Sequence, residues 1–277
     1  MAGLTLDAPA KINLRLLVGP RREDGFHPLR SLMVTLDAPR DRVRLEAAGG
    51  RAVVCPGMDG RANLAWSALD ALEEEAGRPL PLRVEIDKAI PAQAGLGGGS
   101  SDAAAVLVGA DRLLGLGLGP ARLERVAARV GSDVPFFVRG GAQWAEGRGE
   151  LLRPASVAPF AAVLAKGDAG LSTAAVYGAF DRLPPPPAVV AGSRNHLSYA
   201  EVVAGSRNDL WGAALALAPG LGAAARALAA AGADAVLLCG SGACMAGIFP
   251  DRAAAERAAE RLDASGVRAV AEPAAPR

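Results

Sequence analysis

The sequence predicts an α+β protein whose chain divides somewhere near residues 150–160. Segments that alternate apolar and polar residues, with the two-residue period of β-strands, are interspersed with segments of helical periodicity. The chain has 277 residues, more than the usual single domain, which favours one large core or two closely packed lobes. We therefore expect a mixed fold large enough to bury an enzyme-sized core.

The composition of the chain indicates which kinds of ligand it binds. Hydrophobic residues make up 51% of the chain and charged residues 21%, which is typical of a globular protein and not of a disordered one. A net charge of +1 creates no field that would attract nucleic acid or an anionic membrane surface, so a small molecule is the expected ligand. The N-terminal segment lacks the basic stretch and apolar run of a signal peptide, and Gly, Pro or charged residues interrupt the longer apolar stretches. We expect a cytoplasmic protein with no membrane span.

The cysteines and histidines do not form a metal-binding pattern. Cys55, Cys239 and Cys244 are an odd number without ligand spacing, and His27 and His196 are the two histidines. This predicts reduced, buried thiols and no metal site made of protein ligands alone.

The first half is predicted to contain strands interspersed with three helices, one of which follows the glycine loop. Residues 4–16 alternate as a strand pair or one bent strand. Residues 18–31 carry the Gly, Pro and Asp-Gly signals of a loop that precedes an apolar run at 32–36, and 41–47 and 82–87 alternate as further strands. Residues 63–77 predict a helix with Asn63 as its N-cap and Gly77 as its terminator. A further helix is predicted over 121–130, and 142–154 reads as a hairpin.

The stretch PAQAGLGGGSSDAAA, residues 91–105, joins a strand to a helix that we expect to begin at Ser100 or Ser101. Bare backbone amides and the positive end of a helix would meet at one point there, which suits a phosphate. The loop does not match the Walker A motif, since Ser100 follows Gly99 where lysine is required. It does not match the dinucleotide fingerprint either, and a flexible turn capped by serine remains the alternative.

The second half is predicted to contain a strand at 160–167, a helix at 219–232, a hairpin at 234–249 around Gly-Ser-Gly, and a last helix at 251–266. Residues 183–195, with four consecutive prolines, are expected to form a surface loop.

Phosphoryl transfer also needs a cation against the migrating charge and a group that orients or deprotonates the acceptor hydroxyl. Lys11, on the polar face of an apolar strand, and Asp133, between a helix-ending glycine and the apolar segment VPFF, are the candidates. Each has an ordinary alternative, a solvated lysine and a turn-stabilising aspartate. Asp102, in the first turn of the helix after the glycine loop, is interpreted as structural, with a magnesium-mediated role as the alternative.

Five motifs together resemble those of the GHMP kinase superfamily: APAKINL (8–14), REDGFH (22–27), PAQAGLGGGSSDAA (91–104), GSDVPFF (131–137) and CGSGAC (239–244). The resemblance covers nearly the whole chain. It implies a two-lobed fold, with an N-terminal ribosomal-protein-S5-like lobe (1–157), a C-terminal ferredoxin-like lobe (158–277) and an active site in the cleft between them. PAKINL, DGFH and GSDVPFF resemble the branch of the superfamily that phosphorylates a cytidine diphosphate erythritol derivative.

The resemblance also implies roles for individual residues. The activity would be transfer of the γ-phosphoryl group of ATP, with Mg²⁺, to a hydroxyl of the small-molecule substrate. Asp133 would be the base, and Lys11 would keep it ionised and contact the hydroxyl or the phosphate. The nucleotide would be held by Asn63, Lys88 and the loop residues Pro91, Ala92, Gln93, Ala94, Gly95, Leu96, Gly97, Gly98, Gly99, Ser100 and Ser101.

For the substrate, the resemblance implies that His27 hydrogen-bonds cytosine, that Phe26 and Tyr177 stack on it, and that Asn13 contacts the diphosphate or erythritol. As ordinary alternatives, Phe26 and Tyr177 would be packing residues, His27 a turn residue and Asn13 a polar group of a strand. Magnesium would be held by the phosphates, water and Ser100 or Ser101. Other readings are a homoserine, mevalonate or sugar kinase of the same superfamily, a nucleotide-binding regulator without catalysis, and an NAD-dependent oxidoreductase. We expect a monomer or a weak homodimer.

Overall fold

The chain forms two β-sheets with helices packed on both, in agreement with the predicted α+β class. The structure is a computed structural model that describes residues 3–167, 170–184, 186, 189, 194–262 and 267–276. The strands are β1 (Gly3–Val18), β2 (Leu29–Ala47), β3 (Ala52–Val54), β4 (Leu82–Asp87), β5 (Ala142–Gly147), β6 (Leu151–Val157), β7 (Ala161–Lys166), β8 (His196–Leu197), β9 (Arg207–Asn208), β10 (Ala235–Leu238), β11 (Cys244–Phe249) and β12 (Val267–Ala271). The helices are α1 (Leu64–Ala76), α2 (Gly98–Leu114), α3 (Gly119–Val130), α4 (Val134–Arg139), α5 (Thr173–Phe180), α6 (Tyr199–Gly205), α7 (Trp211–Leu217), α8 (Leu221–Ala230) and α9 (Arg252–Leu262).

The long strand β2 organises the larger sheet. It pairs antiparallel with β1 along one side, and with β5 and β4 along the other. The apolar run at 32–36 and the alternating segment at 41–47 therefore belong to one strand. β1 is the bent strand that the sequence predicts, because its register with β2 shifts between Pro9 and Lys11 and again between Asn13 and Arg15.

Helix α2 is the central helix of the first half. All ten residues from Ser101 to Ala110 are buried, and α2 packs against β1, β2, α1 and α4. Its small residues allow this close approach: a Cβ on Gly109 would lie 2.6 Å from a methyl carbon of Leu45. The helix begins at Gly98 and not at a serine, because Gly97 adopts the left-handed conformation (φ 75°) and itself ends the loop.

The smaller sheet has the strand order β10-β11-β7-β12, and all its pairs are antiparallel. Helices lie between β7 and β10, and α9 connects β11 to β12, which is the ferredoxin-like arrangement. The predicted hairpin is β10–β11. The short strands β8 and β9 come from the second half but join the larger sheet through β6 and β1.

Several predicted elements are confirmed and several short ones were missed. Helix α1 has the predicted caps: the Asn63 side chain accepts a hydrogen bond from the amide of Ala65, and Gly77 is left-handed. The sequence did not predict the six-residue helix α4 or the helices α5, α6 and α7. In the predicted surface loop, residues 185, 187, 188 and 190–193 lie outside the described residues, as do 263–266 at the end of the last predicted helix. No helix in the described ranges has the length and apolar character needed to cross a bilayer.

Candidate active site

Two neighbouring cavities meet at the glycine loop. The larger, about 610 Å³, lies over the loop and the start of α2, beside the segment that leads into α1. The smaller, about 160 Å³, lies between β1 and β2 on one side and residues 173, 177, 240 and 241 of the second half on the other. Gly95 and Gly97 line both cavities. A ligand bound in the larger cavity can therefore extend past these two glycines into the smaller one.

The loop has the conformation that a phosphate cradle requires. Gly95 and Gly97 have φ angles of 78° and 75°, in the left-handed region that disfavours side chains. The first hydrogen bond of α2 runs from the Ser101 amide to the Gly97 carbonyl (2.9 Å). The amides of the residues just before Ser101 precede that bond, and helix geometry leaves such amides without intrahelical partners. The helix dipole adds positive potential at the same point.

A second glycine turn, residues 239–242, packs directly against the loop. A Cβ on Gly95 would lie 1.7 Å from the carbonyl oxygen of Cys239, and a Cβ on Gly242 would lie 1.9 Å from the amide nitrogen of Gly95. The Gln93 carbonyl also accepts hydrogen bonds from the amides of Leu171 (3.4 Å) and Ala243 (3.3 Å). The Gly-Ser-Gly motif is thus more than a hairpin turn: it joins the two halves of the protein beside the loop.

The larger cavity contains nearly all the residues predicted to hold a nucleotide. Asn63, Lys88 and every residue from Pro91 to Ser100 line it. Ser101 does not reach it: the residue is fully buried, and its amide is bonded to Gly97. The predicted range is one residue too long, because α2 starts at Gly98 and carries Ser101 into the core. Met58, Leu64, Ile90 and Leu96 supply apolar wall, and the volume lies in the range of ordinary small-molecule sites.

Lys88 lies between two buried carboxylates. Its Nζ is bonded to a carboxylate oxygen of Asp41 and lies 2.6 Å from Oδ2 of Asp102. Burial, helped by the neighbouring Asp41, raises the pKa of Asp102 to about 7 despite the attraction of Lys88. Burial opposes the charged form of Lys88, but Asp102 and Asp41 outweigh it and raise its pKa. Asp102 also lines the larger cavity, and its structural role stays a prediction. Lys88 contributes to the wall while its ammonium is already paired.

Lys11 and Asp133 meet in the smaller cavity. Nζ of Lys11 lies 3.5 Å from Oδ2 of Asp133, and the two side chains are 4% and 38% exposed. The lysine therefore reaches the cavity from inside the protein while the carboxylate keeps access to solvent. Lys11 also donates to Oδ1 of Asn13 (2.7 Å), and Asn13 donates to Oγ of Ser31 (2.7 Å). This chain of hydrogen bonds fixes the ammonium on the β1–β2 ladder.

Asp133 is held by the start of α4. It is the residue immediately before that helix, whose apolar residues Val134, Phe136 and Phe137 are buried in the core. Phe137 also packs under the glycine loop, since a Cβ on Gly97 would lie 2.8 Å from its ring. The loop, Lys11 and Asp133 are therefore positioned by one set of packed residues.

Of the three residues predicted to contact the substrate base, one lines this cavity. Tyr177 lines it, and burial together with the charge of Asp133 raises the pKa of Tyr177 to about 12. The His27 ring packs 5.4 Å from the Tyr177 ring and does not line the cavity. Its Nδ1 lies 2.8 Å from the Gly19 carbonyl and its Nε2 lies 2.9 Å from Oδ1 of Asp181. The predicted hydrogen bond from His27 to a base stays a prediction, and it requires one nitrogen to leave its present partner.

Phe26 is 50% exposed, and its ring lies 4.8 Å from the guanidinium carbon of Arg148, which lines the cavity. Asn13, the other predicted substrate contact, also lines it. The sequence did not indicate Arg148, Ser31 or Asn208. Asn208 donates to the carbonyls of Leu238 (2.8 Å) and Gly240 (2.7 Å) and so supports the second glycine turn. These residues come from strands and loops far apart in the chain, and no local pattern marks them.

Comparison with known proteins gives the family. Residues 63–141 match the family model for the GHMP kinases N terminal domain, and residues 203–268 match the model for the GHMP kinases C terminal. A 4-diphosphocytidyl-2-C-methyl-D-erythritol kinase from Geobacter sulfurreducens is 42% identical, with 95% of this chain and 96% of the relative covered. The kinase of that name from Anaeromyxobacter is 43% identical, covering 92% of this chain and 85% of the relative.

Comparison with solved structures gives the same family. A crystal structure of 4-(cytidine 5'-diphospho)-2C-methyl-D-erythritol kinase superposes with a TM-score of 0.82 and 34% identity, covering 98% of this chain and all of the other. A homoserine kinase from Cytophaga hutchinsonii, at 18% identity and a TM-score of 0.66, shares the fold. The chain therefore belongs to the GHMP kinases and, within them, to the family of the 4-diphosphocytidyl-2-C-methyl-D-erythritol kinases. It is an ATP-dependent small-molecule kinase, and the predicted two-lobed fold is confirmed.

The contact between the two glycine turns predicts different effects for two similar substitutions. Gly95→Ala places a methyl group 1.7 Å from a backbone oxygen at a positive φ, whereas the nearest atom to a methyl group in Gly99→Ala is 3.8 Å away. We expect Gly95→Ala to lower the free energy of unfolding by at least about 2 kcal/mol and Gly99→Ala to change it by less than about 0.5 kcal/mol. Urea unfolding of both variants measures this difference, and equal stabilities would refute the contact.

The buried ion cluster predicts a pH-dependent effect of Lys88→Met. The pKa of Asp102 in the folded protein is already above its ordinary value of 3.8, so its contribution to stability is lost as pH rises through the folded pKa. Without the ammonium, the pKa of Asp102 rises further and this loss becomes larger. We expect Lys88→Met to cost about 3 kcal/mol at pH 8 and clearly less at pH 5.

Lys166→Met is the control, because Lys166 lies at the end of β7 away from this cluster. Chemical unfolding at both pH values gives the comparison. A loss in Lys88→Met that is the same at pH 5 and pH 8 contradicts the assigned cluster.

Proposed function

We propose that this protein transfers the γ-phosphoryl group of ATP to the 2-hydroxyl of 4-diphosphocytidyl-2-C-methyl-D-erythritol, giving the 2-phosphate and ADP. This reaction belongs to the methylerythritol phosphate pathway to isoprenoid precursors. The observation that carries the proposal is the pairing of Lys11 with Asp133 (3.5 Å) in a cavity that meets the glycine loop at Gly95 and Gly97. The names of the relatives supply the acceptor.

In the proposed reaction Asp133 is the base. Its carboxylate takes the proton of the substrate hydroxyl as the hydroxyl oxygen forms a bond to the γ-phosphorus, and the bond from that phosphorus to the oxygen bridging the β-phosphate breaks. Asp133 suits this step because its side chain is 38% exposed, so a substrate can reach it. Lys11 pairs with the carboxylate before the step and offsets negative charge on the transferred group during it.

Lys11 acts from a fixed position. Its side chain is buried and bonded to Asn13, whose amide is in turn held by Ser31. A cation already in place when charge develops needs no reorganisation, and its effect is larger in a site that excludes water. Asn13 is thus assigned both to holding Lys11 and, because it lines the cavity, to contact with the acceptor.

The glycine loop is assigned to the polyphosphate, with its amides and the N-terminus of α2 facing the phosphate oxygens. The apolar wall near Asn63 and Lys88 would receive the adenosine. Mg²⁺ fits a donor set that is poor in protein ligands: the described residues hold no group of three His, Cys, Asp or Glu side chains around a common point. Ser100, which lines the cavity, would hold the ion together with phosphate oxygens and water, and the ion would supply charge neutralisation.

The cytidine end of the substrate is assigned to the aromatic edge of the smaller cavity. Tyr177 forms wall, and Phe26 is exposed beside the wall residue Arg148, so a base that stacks on either ring displaces no core residue. Arg148, beside Phe26, adds a cation near the expected diphosphate. The Asp181 carboxylate and the Gly19 carbonyl fix the His27 ring behind Tyr177.

The function is tested by coupled ADP release from ATP with a panel of acceptors. We expect turnover with 4-diphosphocytidyl-2-C-methyl-D-erythritol, and none above background with homoserine, mevalonate or a free sugar. ATP binding without turnover of any acceptor would support a non-catalytic regulator instead. Preference for another acceptor would show that the proposed substrate is wrong and that the protein is a kinase for that other acceptor.

Asp133→Asn should separate catalysis from binding. The amide keeps the shape of the side chain but cannot take the proton, so we expect kcat to fall at least about a hundredfold. The affinity for ATP, measured by calorimetry, should stay within about threefold. Asp251→Asn, at the start of α9, is the control with the same chemical change. Wild-type kcat in Asp133→Asn would remove the base assignment.

Phe26→Ala should act on the substrate and not on the chemical step. Removing an exposed ring that stacks on cytosine should raise KM for the cytidine substrate about tenfold, with kcat and KM for ATP nearly unchanged. Phe26→Tyr keeps the ring and should restore KM. An unchanged KM in Phe26→Ala would show that Phe26 is a surface residue that does not bind the substrate.

A further inference from the structure

A third cavity, of about 440 Å³, lies on the other side of the β1–β2 ladder from the smaller cavity of the candidate active site. We call that smaller cavity the catalytic cavity, because the proposed function places the reaction there. Arg15 and Arg30 line the third cavity, whereas their chain neighbours Leu16 and Ser31 line the catalytic cavity. Adjacent residues of a strand point to opposite faces, which places the two cavities back to back. The remaining wall comes from β5 and from the segment containing β8 and α6: Trp144, Arg194, Leu197, Glu201, Ala204 and Gly205.

This basic cavity, as we call it, has an excess of positive charge. Three arginines, Arg15, Arg30 and Arg194, face one carboxylate, Glu201, among the residues that line it. Arg30 is also largely buried, with a side chain 8% exposed, and its Nε lies 3.4 Å from Glu146. Burial, with the charges of Arg153 and Arg15, lowers the pKa of Arg30 although Glu146 opposes the shift. A bound anion would offset this unfavourable charge.

The arginines are held in place by the protein. The guanidinium carbon of Arg30 lies 4.2 Å from the centre of the Trp144 ring, and that of Arg15 lies 5.9 Å from it. Nε1 of Trp144 donates to the backbone carbonyl of Arg194 (2.9 Å), and Nε of Arg15 donates to the carbonyl of Gly205 (2.8 Å). A Cβ on Gly205 would lie 1.4 Å from the Arg15 guanidinium, so only glycine leaves room for this arginine. Side chains that are ordered before a ligand arrives lose less entropy on binding.

We propose that the basic cavity binds the phosphoryl group of a small phosphorylated metabolite, at a site separate from the catalytic one. Planar guanidinium groups match the oxygens of a phosphate and donate two hydrogen bonds at once. The cavity has room for a phosphate or diphosphate and for part of the attached molecule. Glu201 limits affinity, since its carboxylate pairs with Arg194 and repels an incoming anion.

Calorimetric titration with inorganic pyrophosphate tests the site, in the presence of saturating ADP so that the glycine loop is filled. Two single substitutions should shift the affinity in opposite directions. Arg194→Gln removes a 76% exposed cation of the wall and should weaken binding about fivefold. Glu201→Gln removes the competing charge and should strengthen binding about threefold, while glutamine still completes the capping box of α6 with Ser198.

Arg261→Gln, with the same charge change on the exposed side of α9, is the control and should bind as the wild type does. Circular dichroism and ADP affinity verify that each variant is folded. Absence of pyrophosphate binding to the wild type overturns the proposal. Equal affinities of Arg194→Gln, Glu201→Gln and the control also overturn it, because the bound anion would then lie elsewhere.

Discussion

The site depends on a backbone-to-backbone contact between two glycine turns. Gly95 of the first half lies against the Cys239 carbonyl and Gly242 of the second half at distances where a single Cβ would overlap protein atoms. Glycine permits both the close approach and the left-handed angle at Gly95. The contact holds the amides of the glycine loop, the wall of the smaller cavity and the ferredoxin-like half in one arrangement. Asn208, which binds the Gly240 carbonyl from below, is part of the same support.

Buried charge is the second constraint. Lys11 and Lys88 are two of the three lysines in the chain, and both contact carboxylates at the edges of the two cavities. The two lysines differ in whether the carboxylate that they contact is exposed. Lys88, Asp41 and Asp102 form a cluster at the start of α2 in which the ammonium is bound by two buried carboxylates. The pair of Lys11 with Asp133 has one exposed member, the Asp133 carboxylate. Of these two arrangements, the second leaves a carboxylate, that of Asp133, accessible from the cavity.

The β1–β2 ladder lines two cavities because the register shift between Asn13 and Arg15 turns Arg15 to the face opposite Asn13. One face carries Lys11, Asn13 and Ser31 into the catalytic cavity, and the other carries Arg15 and Arg30 into the basic cavity. Oγ of Ser31 accepts the hydrogen bond from Asn13 and donates to the carbonyl of Arg15 (2.9 Å), so the two faces share a hydrogen-bonded backbone. The bulges in β1 give this strand the bend that brings its polar side chains to the glycine loop.

The sequence by itself determined the features that depend on near neighbours in the chain. Asn63 and Gly77 mark the ends of α1, Gly-Ser-Gly marks the β10–β11 hairpin, and the glycine run marks the loop before α2, because caps and turns need particular residues at particular positions. Helix α4 was missed because six residues are too few to show a helical period. Only the tertiary structure decided that Lys11 meets Asp133, that Gly95 meets Gly242, and that Ser101 is buried. These three features depend on how the larger sheet, α2 and the second half pack together. The spacing of the residues along the chain does not predict them.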